Sequence, residues 1–197
     1  MARAGLTPER LTEAAADLAD RIGFEQVTVT ALARGFGVKD ASLYSHVRNA
    51  QELRTRVALL AARELGERLR AAVAGRAGHD ALVAFADAFR DFALRHPGRY
   101  AASQLPLPEE VLVTSPGHTQ VVRTIYAVMH AYGLAEPEQT DAVRLLRSAL
   151  YGYVSLQAAG AFLHQREVQT SWEQGVAALH FTLSNWSAAT ATATATG

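Results

Sequence analysis

Cysteine is absent from the 197 residues, so the chain can build neither a disulfide framework nor a thiolate metal site, and it fits a reducing compartment. No uninterrupted apolar run approaches the ~18 residues that a spanning helix needs. The N-terminus also lacks the charged-then-apolar pattern of a secretory signal. These absences predict a cytoplasmic protein with no membrane partner. Excess charge of one sign is missing too: 19 basic side chains meet 19 acidic ones, for a net charge of zero. That balance excludes a chain whose whole surface grips nucleic acid, so any such site must be local. Lysine is nearly absent, Lys39 being the single one among the basic residues.

Catalytic signatures are missing as well. There is no G-x-S-x-G elbow, no H-E-x-x-H zinc helix, no P-loop and no Glu-x-x-His pair of a di-iron bundle. The seven histidines are scattered singly, a spacing that gives a zinc site poor support. The sequence therefore predicts no enzyme, no metal and no cofactor.

What is present is helix. Hydrophobic residues make up 49% of the chain, enough to fill a real core. Leu11, Ala15, Leu18 and Ile22 repeat on one helical face, behind an N-cap at Thr7 with Pro8 and Glu9 in the first turn. Gly23 stops that helix. A second helix fits Val29 to Phe36, capped by Thr28 and ended by Gly37, and a third fits Asp40 to His46. Asn49 and Glu52 form a capping box for a long fourth helix that carries its apolar stripe to Gly75.

Further helices fit 80–95, a short stretch through Tyr100, Ser115 to Tyr132, Pro137 to His164, and Ser171 to Trp186. The proline-rich stretch 105–117 reads as a loop or a broken helix. The expectation is an all-α chain of about nine helices. Residues 1–50 form a three-helix helix-turn-helix domain, 51–187 a larger helical domain, and 188–197 a low-complexity tail of alternating Ala and Thr, expected to be disordered.

The segment Thr28 to Leu53 reads TVTALARGFGVKDASLYSHVRNAQEL. Its Thr-led helix, Leu32 and Ala33, Gly37 and Val38 at the turn, Leu43 and Tyr44, then His46, Val47 and Asn49, with Gly23 and Phe24 upstream, resemble the TetR family of transcriptional regulators. The resemblance implies a helix-turn-helix whose second helix enters the major groove, where each base pair shows a distinct donor and acceptor pattern. Leu32, Val38, Leu43 and Val47 then hold the bundle. Ala41, Ser42, Ser45 and His46 stand where the family reaches bases, while Tyr44 and Arg48 stand where it approaches phosphates. Lys39 and Asp40 complete the polar set, and Thr28, Thr30 and Asn49 offer helix ends to the backbone.

Two positions depart from the family pattern. Lys39 replaces the usual Ser cap of the recognition helix, and Ala50 stands where a Lys often contacts phosphate. Over residues 1–56, eight basic side chains face seven acidic ones, a local net of +1. Asp40 would repel phosphate unless it accepts from a cytosine amino group. Arg3, Arg10, Arg48 and Arg54 are the candidates for compensating charge, Arg3 as a minor-groove arm.

The resemblance also implies that the C-terminal half holds a small-molecule effector and dimerises through its last two long helices. LRSALYGYVSLQAAGAF and the helix after it carry that part of the match. Candidate pocket residues are the aromatic and stray polar groups Phe85, Phe89, Phe92, Tyr100, Tyr126, Met129, His130, Arg147 and Tyr151. Candidate interface residues are Gly152, Leu156, Gly160, Trp172, Val176, Leu179 and Leu183. A homodimer would place two recognition helices about one DNA turn, ~34 Å, apart on a pseudo-palindromic double-stranded operator. Effector binding would tilt the long helix near Ala50 and release a repressor, provided the effector binds the two states unequally. A helical scaffold or protein-interaction module without specific DNA binding is the alternative, and it leaves the 28–53 segment unexplained.

Overall fold

A computed structural model of the chain describes residues 6–191. Among the described residues the regular structure is helical and no strand forms. The helices are α1 (Pro8–Ile22), α2 (Val29–Phe36), α3 (Asp40–Leu43), α4 (Ala50–Val73), α5 (Gly78–Arg95), α6 (Pro97–Ser103), α7 (Glu109–Thr114), α8 (Pro116–His130), α9 (Glu138–Ala158), α10 (Val168–Ser184) and α11 (Trp186–Thr190), with a 3₁₀ turn at Phe24–Gln26. The all-α expectation holds. Eight of these eleven helices have seven or more residues, against the nine expected, and α3, α7 and α11 are the shorter ones. Two compact units result. One takes the chain up to Arg68 together with Asp91–Val121, and the other takes Leu69–Arg90 and the chain from Val122 onward.

In the first unit, Thr7 caps α1 by accepting the Arg10 N–H at 3.3 Å, with Pro8 at the first turn, where its missing N–H costs nothing. The buried face of α1 is Leu11, Ala15, Ala16 and Ala19. The expected stripe is thus rotated toward the small residues: Leu18 is only partly buried and Ile22 is 45% exposed. The reason lies in α6. Gly98 is buried against α1, and a Cβ there would fall inside the backbone of Ala19 and Asp20. Only an alanine face on α1 and a glycine on α6 let two helices approach so closely. Around this contact Leu11, Phe24, Val27, Leu32, Leu43, Val47, Leu53, Val57 and Ala102 form one core.

Charges lock the same contact. The Arg99 guanidinium, on α6, pairs with Asp20, with Asp17 at 2.7 Å and with Glu64 at 3.0 Å. The Arg99 N–H donates to Asp20 at 2.8 Å. Asp20 also faces His96 Nδ1 at 3.3 Å, and His96 Nε2 meets Arg68 at 3.1 Å. Farther along, Gly117 opens α8 against α4, where a Cβ would lie 2.5 Å from the Arg63 nitrogen.

The second unit centres on Leu82, Phe85, Phe89, Met129, Leu146, Leu150, Val154, Trp172, Val176 and Leu183, all buried. Trp172 satisfies its indole N–H on Asp87 at 2.6 Å, as a buried indole must. The Arg90 guanidinium lies 5.0 Å above the Trp172 ring and donates to Gln157 and Gln169. The Tyr132 hydroxyl meets His180 Nδ1 at 3.0 Å, and burial pushes that phenol up to about 12.

Several boundaries differ from the sequence reading. α9 ends at Ala158, short of His164, because Gly160 takes the left-handed conformation (φ 66°). There the Ala161 N–H turns back to the Leu156 carbonyl at 2.9 Å, a helix-terminating bond pattern. The stretch expected as loop or broken helix contains α7, opened by Pro108 and two glutamates. α11 carries helix through Thr190, into the segment read as tail, and residues 192–197 of that tail lie outside the described residues.

Candidate nucleic-acid interface

The candidate reading surface is built from α2, α3 and the turn that follows. Thr28, in extended backbone, accepts the Ala31 N–H at 3.0 Å and starts α2. Gly37 ends it at φ 64°, and the Val38 N–H reaches back to the Ala33 carbonyl at 3.1 Å. A side chain would strain this position, so Gly37 fixes the sharp angle between α2 and α3.

α3 spans only Asp40–Leu43, where the sequence predicts a helix to His46. The cause is local. Lys39 supplies no side-chain cap, and the Ser45 hydroxyl donates to the Ser42 carbonyl at 2.9 Å, competing with the backbone ladder. The His46 N–H then bonds Leu43 three residues back, at 2.9 Å, in the tighter 3₁₀ manner. The candidate recognition element is one helical turn followed by a turn through His46.

Both ends of this element are pinned. At its start the Thr30 hydroxyl donates to the Asp40 carboxylate at 2.6 Å, tying α2 to α3. Asp40 therefore has an internal donor, and the Thr30 hydroxyl is engaged with that carboxylate at the surface. At the far end Arg56, on α4, donates to the His46 carbonyl at 3.0 Å and pairs with Glu52 at 2.7 Å. Leu43 and Val47, at 0% and 2% exposure, anchor the element from below. What remains outward is Ala41, Ser42, Tyr44 and Ser45, with Lys39 ahead of them and His46 half-buried. Tyr44 is 53% exposed, high for a large ring.

The capping at α4 is a shifted version of the expected box. Asn49 accepts the Glu52 N–H at 2.8 Å, but Glu52 answers the N–H of Arg48, at 2.7 Å, and not that of Asn49. The Arg48 N–H, with Arg56 and the Arg48 guanidinium beside it, holds the Glu52 carboxyl below its ordinary range. The Arg48 side chain is 87% exposed and 3.3 Å from Glu52. Arg54, expected as compensating charge, faces inward: it pairs with Glu25 at 2.6 Å and lies 4.7 Å above the Phe24 ring. Arg10 is exposed on α1, and Arg3 lies outside the described residues. Sequence reading missed Arg56, although its i,i+4 spacing from Glu52 is the signal that places both on one face of α4.

The residues expected to line a pocket separate. Phe85, Phe89 and Met129 are buried in the second unit, with Tyr126 and Tyr151 half-buried there and the Tyr151 ring tilted against Phe89 at 4.9 Å between centroids. Phe92 and Tyr100 belong to the first unit. His130 and Arg147, expected as polar handles among apolar neighbours, are exposed. His130 is the last residue of α8, where the chain turns to solvent, and Arg147 lies over the outer side of Tyr151 at 5.6 Å.

The interface candidates divide in the same way. Trp172, Val176 and Leu183 are core of their own chain, at 4% exposure or less, because α10 turns this stripe inward. Leu179 is half-buried, whereas Gly152, Leu156 and Gly160 are exposed. Leu145 on α9 and Phe181 on α10, at 38% and 69%, add apolar surface that the sequence reading had not selected.

Residues 82–179 match the model of the tetracyclin repressor-like, C-terminal domain. The HTH-type transcriptional regulator Rv0681 of Mycobacterium tuberculosis is 36% identical over 162 residues, which cover 80% of this chain and 72% of that protein. The HTH-type transcriptional regulator YobS of Bacillus subtilis is 32% identical over 170 residues, 86% of this chain and 88% of its own. Two solved structures share the fold. A TetR variant from Acinetobacter baumannii AYE in complex with minocycline superposes with a TM-score of 0.70 at 21% identity, over 92% of this chain and 98% of the other. ActR of Streptomyces coelicolor in complex with (S)-DNPA does so with a TM-score of 0.65 at 18% identity, over 93% and 98%. With its helix-turn-helix geometry and these two curated relatives, the chain belongs to the TetR family of transcriptional regulators.

Proposed function

We propose that the protein is a cytoplasmic, ligand-responsive repressor, without catalytic activity, that binds a pseudo-palindromic operator as a homodimer. Residues 1–50 read the DNA and residues 51–187 bind effector and partner. The observation that carries this reading is the pinned turn Asp40–His46, held by Thr30 at one end and Arg56 at the other, with Ser42, Tyr44 and Ser45 left outward. Ser42 and Ser45 reach base edges, and Tyr44, Lys39, Arg48 and the capped starts of α2 and α4 contact phosphates.

Effector occupies the apolar interior of the second unit around Phe85, Phe89, Tyr126, Met129 and Tyr151. The ligands that accompany the A. baumannii and S. coelicolor neighbours support a small organic molecule as its class. The exposed apolar positions Leu145, Gly152, Leu156 and Phe181 of α9 and α10 form the dimer face, since water-exposed leucine and phenylalanine in such number favour burial by a second copy.

Fluorescence anisotropy with the protein's own upstream DNA tests this reading. The expected result is salt-sensitive binding near 10⁻⁸ M, two chains per site, and random DNA weaker by about 10³ or more. Equal affinity for both DNAs would overturn the specific-repressor claim.

A further inference from the structure

A groove of about 720 Å³ is lined wholly by residues of the first unit, and none of the residues proposed for the effector lines it. The N-terminal turns of α1 form one wall and the segment Val111–Gly117 the other, with Arg56 to Arg63 of α4 as the floor. Its volume is that of a small-molecule site. Leu59, Leu60, Val111 and Pro116 make the surface largely apolar.

The polar groups around it fall into two sets. Most already have partners: the Thr12 and Thr114 hydroxyls donate to carbonyls of their own helices at 2.8 and 2.9 Å, Ser115 meets His118 at 2.9 Å, and Arg56 is held by Glu52 and the His46 carbonyl. Glu9 is engaged with Thr7. Two charges remain, Glu13 on α1 and Arg63 on α4, whose side chains have no hydrogen-bond or ion-pair partner among the described residues. The groove thus offers an apolar floor with one open anion and one open cation.

We infer that this groove is a second small-molecule site, and that it takes an amphipathic zwitterion: an apolar ring system carrying an ammonium group for Glu13 and a carboxylate for Arg63. Both charges stand exposed at the groove, so an uncharged apolar molecule gains no ion pair from either, and an ion of one sign pairs with one and meets its own sign at the other. The occupant touches α1, α4 and the α7–α8 connection at once. Through Arg56 it stands one side chain from the His46 carbonyl that ends the reading turn.

The probe is Nα-dansyl-lysine, an apolar fluorophore with both charges, titrated into the full chain with dansylamide as the uncharged comparator. Saturable, blue-shifted emission at one probe per chain is expected, with dansylamide weaker by about tenfold or more. Arg63→Glu and Glu13→Arg should each weaken dansyl-lysine by about tenfold, and the double variant, which restores one charge of each sign, should recover most of the loss. Both positions are at the surface, so thermal melts should match wild type. Phe89→Leu, in the second unit, should leave the titration unchanged. Absence of saturable binding, equal affinity for dansylamide, single variants within about twofold of wild type, or loss in Phe89→Leu would each overturn the assignment.

Discussion

Replacing Gly98 by alanine adds one methyl group at the point where α6 crosses α1. The atoms that methyl would meet are the carbonyl carbon and oxygen of Ala19 and the nitrogen of Asp20. All are backbone and cannot rotate aside, so α6 must retreat by roughly 1 Å, and overpacking of this kind costs about 1–3 kcal/mol. The retreat also stretches the 2.8 Å bond from the Arg99 N–H to Asp20 and the ion pairs of Arg99 with Asp17 and Asp20. Arg99 and Asp20 side chains are only 12% and 15% exposed, so weakening their contact adds about 1–2 kcal/mol. The total, on the order of 2–5 kcal/mol, is a large fraction of the ~5–15 kcal/mol that holds a typical domain. At this chain length it lowers the melting temperature by roughly 5–15 °C.

Gly35 provides the control. It lies inside α2 with nothing within 4 Å of a built Cβ, so the same substitution there should stabilise by about 0.5–1 kcal/mol. Thermal and guanidinium unfolding followed by circular dichroism reads both. A Gly98→Ala variant that melts within 1 °C of wild type, or shifts upward with Gly35→Ala, would refute the α1–α6 packing account.

Leu43→Ala empties a fully buried position beneath the turn proposed to read DNA; a loss of about 2–5 kcal/mol and of sequence preference in DNA binding is expected, checked by chemical unfolding and anisotropy on one preparation. Trp172→Phe removes the indole N–H that donates to Asp87 and leaves the core nearly filled. It should cost about 1–3 kcal/mol without altering affinity for random DNA, as a melt and a titration would read. Burial holds the His118 imidazole below its ordinary 6.5. The unfolded chain takes up that proton first, so this contribution is complete above 6.5 and is lost as pH falls through the lower native value. Melting temperatures from pH 5 to 8 should fall less steeply in His118→Gln than in wild type.

Helix starts were legible because they rest on single residues: Thr7, Thr28 and Asn49 cap where expected, and Gly23 and Gly37 stop α1 and α2. Those signals act within one turn and need no tertiary information. The length of α3 was not legible, since Ser42 and Ser45 are tolerated in helices until their hydroxyls find a backbone carbonyl. Nor was the inward rotation of α1, which is set by Gly98 on a helix far along the chain.

The site shows the same limit. Exposure of Ser42, Tyr44 and Ser45 follows from their spacing around Leu43 and Val47, and a sequence can show that. Whether Arg54 faces DNA or holds Glu25, whether Asp40 repels phosphate or takes the Thr30 hydroxyl, and whether Trp172 meets a partner or its own core all depend on neighbours brought together by folding.

In the proposed function, Ser42 of α3 and Ser45 of the turn after it read bases. A Ser42→Ala, Ser45→Ala double variant, compared with wild type on the protein's own upstream DNA and on random DNA at fixed salt, tests it most directly. Both hydroxyls are exposed, so the fold should persist. Affinity for the upstream site is expected to fall by about 10–100-fold while affinity for random DNA stays the same, collapsing the ratio between them. An unchanged ratio in a variant that melts like wild type would contradict it.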